Sequence, residues 1–208
     1  MNHPHTETSQ VTYPVMEHFY TIQGEGYHQG RAAYFVRLGG CDVGCVWCDV
    51  KESWDGSKFP RFSAEEITAF IKSTPAEMVV ITGGEPLMHS LDHLTKTLQE
   101  AGLETNIETS GSHPLSGQWN WICLSPKKFK APLAEIVPKA HELKVVIFHP
   151  SDLQWAESWA AKTSPGCKLY LQPEWDKRET MTPLIIEYVK SHPQWEISLQ
   201  IHKYLNVP

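Results

Sequence analysis

The sequence predicts an α/β fold, an incomplete (β/α) barrel of about six parallel strands, with a doubly wound open sheet as the alternative. Short apolar segments typical of buried strands alternate with segments typical of helices along most of the chain. Polar residues and glycines cluster directly after the strands, and a barrel would gather those strand ends on one face. The chain has 208 residues, whereas a complete barrel usually needs about 250. We therefore expect a barrel that is open on one side.

The predicted strands are short runs rich in aliphatic, aromatic and β-branched side chains. One of them, Met78-Val79-Val80-Ile81-Thr82, is apolar almost throughout, which is the pattern of a parallel strand buried on both faces. In order along the chain, the predicted strands cover residues 15–22, 33–38, 78–82, 103–108, 121–124, 143–148, 168–171 and 196–201.

The predicted helices lie between these strands and are marked by their ends. Ser63 is followed three residues later by Glu66, the pattern of a capping box at a helix start. Gly102 is a typical residue just after a helix end, and Pro183 is typical of a first helical turn. The predicted helices cover residues 63–73, 90–101, 133–141, 152–162 and 182–191, and the polar segment 51–62 is predicted to be a connection.

The composition indicates one globular domain over residues 13–208, preceded by a polar, disordered tail over residues 1–12. The formal net charge of −6 and the lack of a Lys/Arg run argue against a nucleic-acid partner. No apolar run resembles a signal peptide or a membrane span, so we expect a cytoplasmic protein without a membrane partner. The five cysteines are odd in number and clustered, which indicates a reducing compartment rather than a disulfide framework.

Cys41, Cys45 and Cys48 are the most closely spaced candidate ligands in the sequence. Their spacing places three thiolates in one loop, and thiolates are good ligands for zinc and for iron–sulfur clusters. A closed site takes four protein ligands, so three thiolates leave one metal position for a ligand that is not protein. Two alternatives remain open at this point, namely ordinary buried cysteines and a zinc site completed by a distant His or Cys.

Three further segments place polar groups where a ligand could reach them. Arg37 interrupts an apolar strand, and a buried Arg needs an anionic partner, either a protein carboxylate or a ligand carboxylate. Gly83-Gly84-Glu85 follows a strand, so a ligand could approach bare backbone and Glu85 could receive a cationic amine. Gln23-Gly24-Glu25-Gly26 either approaches a ligand in the same way or forms a plain turn.

The three-cysteine loop resembles that of the radical S-adenosylmethionine (SAM) superfamily. In that superfamily a [4Fe–4S] cluster is held through three irons, and the amino and carboxylate groups of SAM chelate the fourth. Trp47 stands where the superfamily usually has an aromatic residue beside the adenine, and Gly83-Gly84-Glu85-Pro86 resembles its GGE motif. The resemblance implies a barrel of the radical SAM type, a [4Fe–4S] cluster and SAM.

Over residues 13–208 the resemblance narrows to the 7-carboxy-7-deazaguanine synthase family of queuosine biosynthesis. It implies a lyase that converts 6-carboxy-5,6,7,8-tetrahydropterin to 7-carboxy-7-deazaguanine. A 5′-deoxyadenosyl radical takes hydrogen from C6, the ring contracts, ammonia leaves and SAM is regenerated, while the protein supplies placement and charge. The matching segments, weak singly and strong together, are 19–26, 41–49, 81–86, 108–111, 125–127, 172–173 and 200–206.

The same resemblance implies a role for individual residues. The radical arises on SAM, so no side chain is implied as catalytic, and the cysteines at positions 41, 45 and 48 bind the cluster. The residues implied to flank the cluster and SAM are Trp47, Cys48, Asp49, Gly84, Ser125, Pro126, Lys127 and Gln172. The residues implied to hold the pterin are Ile22, Gln23, Gly24, Glu25, Arg37, Thr82, His202 and Pro208.

Val50 departs from the family pattern. Many members have a Thr there, whose hydroxyl ligates a Mg²⁺ ion that also touches the substrate carboxylate. Valine has no oxygen in its side chain, and Mg²⁺ demands oxygen ligands. We therefore expect that Mg²⁺ binds through water and substrate alone or that the protein works without it.

The resemblance also implies partners, namely a small-molecule pterin substrate, a flavodoxin or ferredoxin as electron donor, and a second copy of the chain in a homodimer. Two other functions compete with this reading. One is an activating-type radical SAM enzyme that makes a glycyl radical on a partner protein, and the other is a non-catalytic zinc-binding module.

Overall fold

The structure, a computed structural model, describes residues 11–208, and nine strands form one sheet in that part of the chain. The tail predicted over residues 1–12 therefore lies outside the described residues except for its last two. The strands are β1 (Thr12–Ile22), β2 (Ala32–Leu38), β3 (Arg61–Ser63), β4 (Met78–Gly83), β5 (Glu104–Thr109), β6 (Trp121–Leu124), β7 (Glu142–Ile147), β8 (Lys168–Pro173) and β9 (Trp195–Ile197). Their order in the sheet is β3-β1-β2-β4-β5-β6-β7-β8-β9.

The sheet confirms the predicted incomplete barrel. Each strand from β2 through β4 to β9 pairs in parallel with the next, which gives seven parallel strands. β1 runs antiparallel to β2, and the short β3 pairs antiparallel with β1. β3 and β9 end the order at opposite edges, so the sheet does not close. The carboxyl ends of the parallel strands consequently meet on one face.

Within residues 11–208, five α-helices accompany the sheet, and three of them agree closely with the prediction. The capping box at Ser63 is present, because its hydroxyl accepts from Glu66 N and the Glu66 carboxylate accepts from Ser63 N. The helices are α1 (Ala64–Lys72), α2 (Asp92–Glu100), α3 (Asp152–Ala160), α4 (Arg178–Ser191) and α5 (Ile201–Leu205). Among the described residues, no helix is both long enough and apolar enough to cross a membrane.

Four local predictions are wrong. Residues 133–141 hold only a 3-10 turn, Val137–Lys139, because Pro138 has no N–H for an α-helical bond. α4 begins at Arg178, so Pro183 lies inside it, and the burial of Met181 and Ile185 on one face offsets the missing hydrogen bond. The predicted connection over residues 51–62 contains two 3-10 turns and the start of β3. The last strand, predicted over residues 196–201, ends at Ile197.

The two faces of the parallel strands differ in chemistry. Alternate side chains such as Val79, Ile81 and Val145 face the helices and form the main apolar core with residues such as Leu94 and Leu98. The intervening side chains face the inside of the barrel, and many of them are polar or charged. They include Arg37, Thr82, Asn106, Glu108, Glu142, Lys144 and Gln172. The helices thus stabilise the fold from outside and leave the interior for chemistry.

The loop between β1 and β2 closes the amino-terminal end of the barrel. Gly26 N donates to Ser198 Oγ at 2.9 Å, and Tyr27 N donates to Glu142 Oε2 at 3.2 Å. The Tyr27 ring stacks on Trp121 with ring centroids 4.6 Å apart. Because Glu142 and Trp121 begin their strands, the part of the loop around Tyr27 covers the end of the barrel opposite the carboxyl ends.

Candidate active site

A cavity of about 510 Å³ lies at the carboxyl ends of the parallel strands. The structure brings every residue predicted for the site to its wall except Pro126, which is buried between Ser125 and Lys127. The predicted residues that line it are Ile22, Gln23, Gly24, Glu25, Arg37, Cys41, Cys45, Trp47, Cys48, Asp49, Thr82, Gly84, Ser125, Lys127, Gln172, His202 and Pro208. Their convergence is a structural finding, while their individual roles stay predictions.

The three cysteines of the loop line one wall of this cavity, and none is in a disulfide. The loop is held at its start by hydrogen bonds from Gly40 N to Ser53 O at 2.6 Å and from Cys41 N to Trp54 O at 3.1 Å. Burial raises the pKa of the Cys41 thiol and raises the pKa of Cys45 to about 11. Without a metal these thiols therefore stay protonated at neutral pH, and binding an iron would displace the proton.

The thiol set fits a [4Fe–4S] cluster better than a single ion. Among the described residues, no three His, Cys, Asp or Glu side chains come close enough to ligate one metal ion together. A cubane cluster takes each thiolate on a different iron and so accepts thiols that are further apart. Cys123 and Cys167 do not line the large cavity, so the protein offers three thiolates there and leaves one iron for another ligand.

The glycine pair at the end of β4, Gly83 and Gly84, is required by close backbone packing. A Cβ on Gly83, whose φ is +138°, would lie 2.1 Å from Leu38 O, and a Cβ on Gly84 would lie 2.2 Å from Gly40 O. No side chain fits at either position. The end of β4 can therefore lie directly against the start of the cysteine loop, which places bare backbone of Gly84 at the cavity wall.

Glu85 does not serve as the predicted partner of a cationic amine. Its carboxylate is buried and accepts hydrogen bonds from Thr109 Oγ1 at 2.6 Å, from Ser110 N at 2.8 Å and from Leu87 N at 3.0 Å. The Ser110 hydroxyl donates to it as well. These contacts satisfy the carboxylate within the protein, so Glu85 joins the ends of β4 and β5 instead of facing a ligand.

Trp47 and Lys127 form the wall next to the cysteines. Lys127 Nζ lies 5.7 Å from the Trp47 ring centroid and donates to Ser125 O at 2.8 Å. Burial lowers the pKa of Lys127. The aromatic face, the lysine and the backbone of the segment after β6 together make a surface suited to a flat, polar ring such as adenine.

Arg37 has the protein partner that the sequence left open. Its Nε donates to Glu17 Oε1 at 2.6 Å, across the β1–β2 pair. Arg37 also lines the cavity, and no hydrogen bond to a described residue uses its two terminal nitrogens. The guanidinium is thus fixed from one side and keeps two donors for an anionic ligand.

Lys144 and Glu108 belong to the site although no role was predicted for them. Lys144 Nζ makes an ion pair with Glu25 and lies 3.6 Å from Glu108 Oε1, which also accepts from Gln23 Nε2 at 3.0 Å. Burial raises the pKa of Glu25, but the charge and hydrogen bond of Lys144 outweigh it and hold that pKa below its usual range. A charge inside an apolar strand, the signal that selected Arg37, also marks Lys144 within β7.

The C-terminal helix α5 is attached to the same region. Ile201 N donates to Gly24 O at 3.0 Å, and Gln200 Nε2 donates to Glu25 Oε1 at 2.8 Å. The His202 ring packs on Gly24 so closely that a Cβ there would lie 2.0 Å from Nδ1. Burial lowers the pKa of His202, so its imidazole is neutral at pH 7.

Comparisons with known proteins agree with this geometry. The sequence model of the Radical SAM superfamily matches residues 35–124. The chain is similar to the 7-carboxy-7-deazaguanine synthase of Flavobacterium psychrophilum, with 53% identity over 94% of this chain and 92% of the relative. It is 51% identical to the enzyme of that name from Synechocystis, over 98% of both chains. The crystal structure of QueE from Escherichia coli superposes with a TM-score of 0.82 at 33% identity, covering 90% of this chain and 93% of the other. The chain therefore belongs to the 7-carboxy-7-deazaguanine synthase family, within the radical SAM superfamily.

Proposed function

We propose that this protein is a radical SAM carbon–nitrogen lyase that converts 6-carboxy-5,6,7,8-tetrahydropterin to 7-carboxy-7-deazaguanine with loss of ammonia. The observation that carries the proposal is the composition of the cavity at the carboxyl ends of the parallel strands. Its wall joins the three-cysteine loop to the Glu25, Lys144 and Glu108 cluster, so cofactor chemistry and a polar substrate would meet in one space. Family membership supports the same activity.

Cys41, Cys45 and Cys48 would hold the [4Fe–4S] cluster, and the free iron position would take SAM. When bound, the cluster and SAM supply a carbon radical that takes a hydrogen atom from the substrate. The residues that would flank SAM are Trp47, Asp49, Gly84, Ser125, Lys127 and Gln172. Their part is to orient the cofactor, through an aromatic face, bare backbone and polar side chains.

The opposite wall suits a carboxylated pterin. The pterin edge carries amide and amine groups, which match the carboxylate of Glu25 and the amide of Gln23. The pterin carboxylate suits the two remaining donors of Arg37. Ile22, Gly24, Thr82, His202 and Pro208 complete this wall.

Lys144 acts as a fixed positive charge in this site. Burial lowers the pKa of Lys144, but its carboxylate and thiol neighbours outweigh that effect and raise the pKa well above its usual value. The ammonium group therefore keeps its proton and orients Glu25 and Glu108. Burial lowers the pKa of the neighbouring His202, so its neutral imidazole is suited to exchange a proton with bound substrate.

Anaerobic turnover tests the proposal. Iron-loaded protein, SAM and a strong reductant are expected to convert the carboxylated tetrahydropterin to the deazaguanine acid, read by mass spectrometry, with release of ammonia. A tetrahydropterin without the carboxylate is the matched control and is expected to react poorly, because Arg37 then lacks its partner. Iron-loaded protein that cleaves SAM but leaves the pterin unchanged would refute the substrate assignment.

The Mg²⁺ requirement is expected to be weaker than in relatives that have Thr at position 50. Val50 lines the cavity but has no side-chain oxygen that could ligate Mg²⁺. Its backbone carbonyl already accepts a hydrogen bond from Ser53 Oγ at 2.7 Å. Turnover with and without added Mg²⁺ should differ little in the natural protein. The Val50→Thr variant is expected to respond more strongly to Mg²⁺. Complete loss of turnover on Mg²⁺ removal, restored only by Mg²⁺, would contradict this.

We also propose, on the ground of family membership, that the protein works as a cytoplasmic homodimer and receives electrons from a flavodoxin or ferredoxin. Residues 13–208 would form a single radical SAM domain, which is supported by one continuous sheet from β1 to β9. The activating-type alternative needs a groove for a polypeptide. It is disfavoured because His202 and Pro208, at the C-terminal end, line the cavity where such a groove would open.

A further inference from the structure

A second, much smaller cavity lies inside the barrel, toward the amino ends of the parallel strands. Its volume is about 10 Å³, which is close to the minimum that holds one water molecule. Its wall includes His28, Asn106, Cys123 and Glu142, and Glu108 borders both this cavity and the large one. The small cavity is therefore separated from the large one only by side chains of the cavity floor.

Two polar atoms of this wall have no hydrogen-bond partner among the described residues. They are His28 Nε2, whose nearest ion-pair partner Glu104 Oε1 is 3.8 Å away and beyond hydrogen-bond distance, and Asn106 Oδ1, and both atoms are buried. Asn106 as a residue is only 4% exposed. Buried polar groups in proteins nearly always have a partner, from protein or from ordered water. Two such atoms at one cavity of this size point to an occupant.

The hydrogen-bonding character of both atoms follows from their neighbours. His28 Nδ1 lies 2.9 Å from Arg31 Nη1, and a guanidinium only donates, so Nδ1 accepts and Nε2 carries the hydrogen. Burial and the charge of Arg31 lower the pKa of His28, which keeps the ring neutral. The Asn106 amide NH₂ group donates to the Glu104 carboxylate and lowers the pKa of Glu104. The amide oxygen of Asn106 therefore remains as an acceptor without a partner. The cavity thus presents one donor and one acceptor.

We propose that one structural water molecule occupies this cavity, accepts a hydrogen bond from His28 Nε2, donates one to Asn106 Oδ1 and donates its second to the Glu108 carboxylate. Glu108 has acceptor capacity left, since only its Oε1 accepts from described residues. Glu142 already accepts from Trp121 Nε1 at 2.9 Å, from Tyr27 N at 3.2 Å and from the Cys123 thiol. The occupant of this cavity is not an ammonium ion, because ammonium has no lone pair and could not accept a hydrogen bond from His28 Nε2.

His28 and Asn106 thereby become positioning residues that act on Glu108 through the water. The water would hold the Glu108 carboxylate in one orientation at the floor of the large cavity, where the proposed substrate binds. The other titratable groups that interact with Glu108 are Glu142, Lys144, Cys123 and His202.

A crystal structure of the natural protein, at a resolution that shows ordered water, tests the site directly. It should show one water within hydrogen-bond distance of both His28 Nε2 and Asn106 Oδ1. An empty cavity, or a repacked wall in which those two atoms contact protein groups, would overturn the proposal. This readout needs no activity, so it is independent of the proposed function.

Two variants at position 28 test the effect on Glu108. His28→Phe keeps the ring against Trp121 but removes the donor, whereas His28→Gln retains an N–H. With His28→Phe we expect the KM for the carboxylated pterin to rise about tenfold, roughly the effect of one hydrogen bond to a charged group, with kcat little changed. His28→Gln should leave the KM near that of the natural protein. Equal KM values for both variants, with the water lost only in His28→Phe, would refute the link to Glu108.

Discussion

Replacing Lys144 with Met is expected to abolish turnover and to lower the free energy of unfolding by about 3–5 kcal/mol, the usual effect of removing one member of a buried ion pair. The Lys144 side chain is only 3% exposed, and its ammonium group compensates the carboxylates of Glu25 and Glu108. Met has a similar length and leaves both carboxylates without that charge. Urea denaturation and turnover of the variant measure the two effects.

The loss of stability caused by Lys144→Met should become smaller as the pH falls. Lys144 holds the pKa of Glu25 below its unfolded value, so this contribution to stability is complete above about pH 4.5 and is lost as the pH falls through the lowered pKa. In the variant, the unpaired carboxylate can bind a proton more readily. The stability difference between variant and natural protein should therefore shrink as the pH falls from 7 to 4.

Lys190→Met is the matched control for this substitution. Lys190 pairs with Glu187 on the exposed face of α4, with Nζ–Oε1 at 2.9 Å and a side chain that is 64% exposed. Exposed pairs of this kind contribute about 0.5 kcal/mol or less. A loss of several kcal/mol at Lys190, or none at Lys144, would contradict the assignment of Lys144 to a buried network.

Substitution of Cys45 by Ala is expected to remove the cluster and with it all SAM cleavage, while the chain stays folded. The cysteine loop lies between β2 and β3, outside the apolar core that the helices and the sheet form. Losing one of three thiolates leaves too few ligands to hold the cluster. Iron content and the visible absorption of anaerobically reconstituted protein report the cluster, and circular dichroism reports the fold.

Cys167→Ala serves as the control for the cysteine substitution. Cys167 precedes β8 and does not line the large cavity. The variant should bind iron, absorb in the visible range and turn over like the natural protein. Near-stoichiometric zinc without iron in the natural protein, or full iron loading of Cys45→Ala, would exclude the assigned cluster site.

The fold could be predicted where local chemistry and packing agree. The α1 capping box, the glycine at position 102 after α2 and the apolar β4 are local signals, and the structure confirms all three. Pro183 is a counterexample, because α4 continues through it to bury Met181 and Ile185. The antiparallel β1 and the small β3 depend on pairing between distant segments, which no local pattern contains.

In the candidate site, too, local motifs could be predicted from the sequence, whereas contacts between distant segments could not. The motif segments were enough to predict that the cysteines and Trp47 line one cavity, and the charge inside an apolar strand was enough to add Arg37. The partners of charged groups could not be predicted, because an ion pair such as Glu25 with Lys144 joins residues that are 119 positions apart. The prediction that Glu85 binds a cationic amine is wrong for the same reason, because its partners Thr109 and Ser110 reach it only when the sheet has formed.

The loop at residues 23–31 has a kinetic consequence. It covers the amino-terminal end of the barrel through Tyr27 and its partner Glu142, so the reacting molecules do not enter along that end. They share the approach to the cavity at the carboxyl ends, whose wall includes both the cysteines and Arg37. A molecule bound deeper in that cavity has to arrive before one that covers it, so cofactor and substrate should associate in a preferred order.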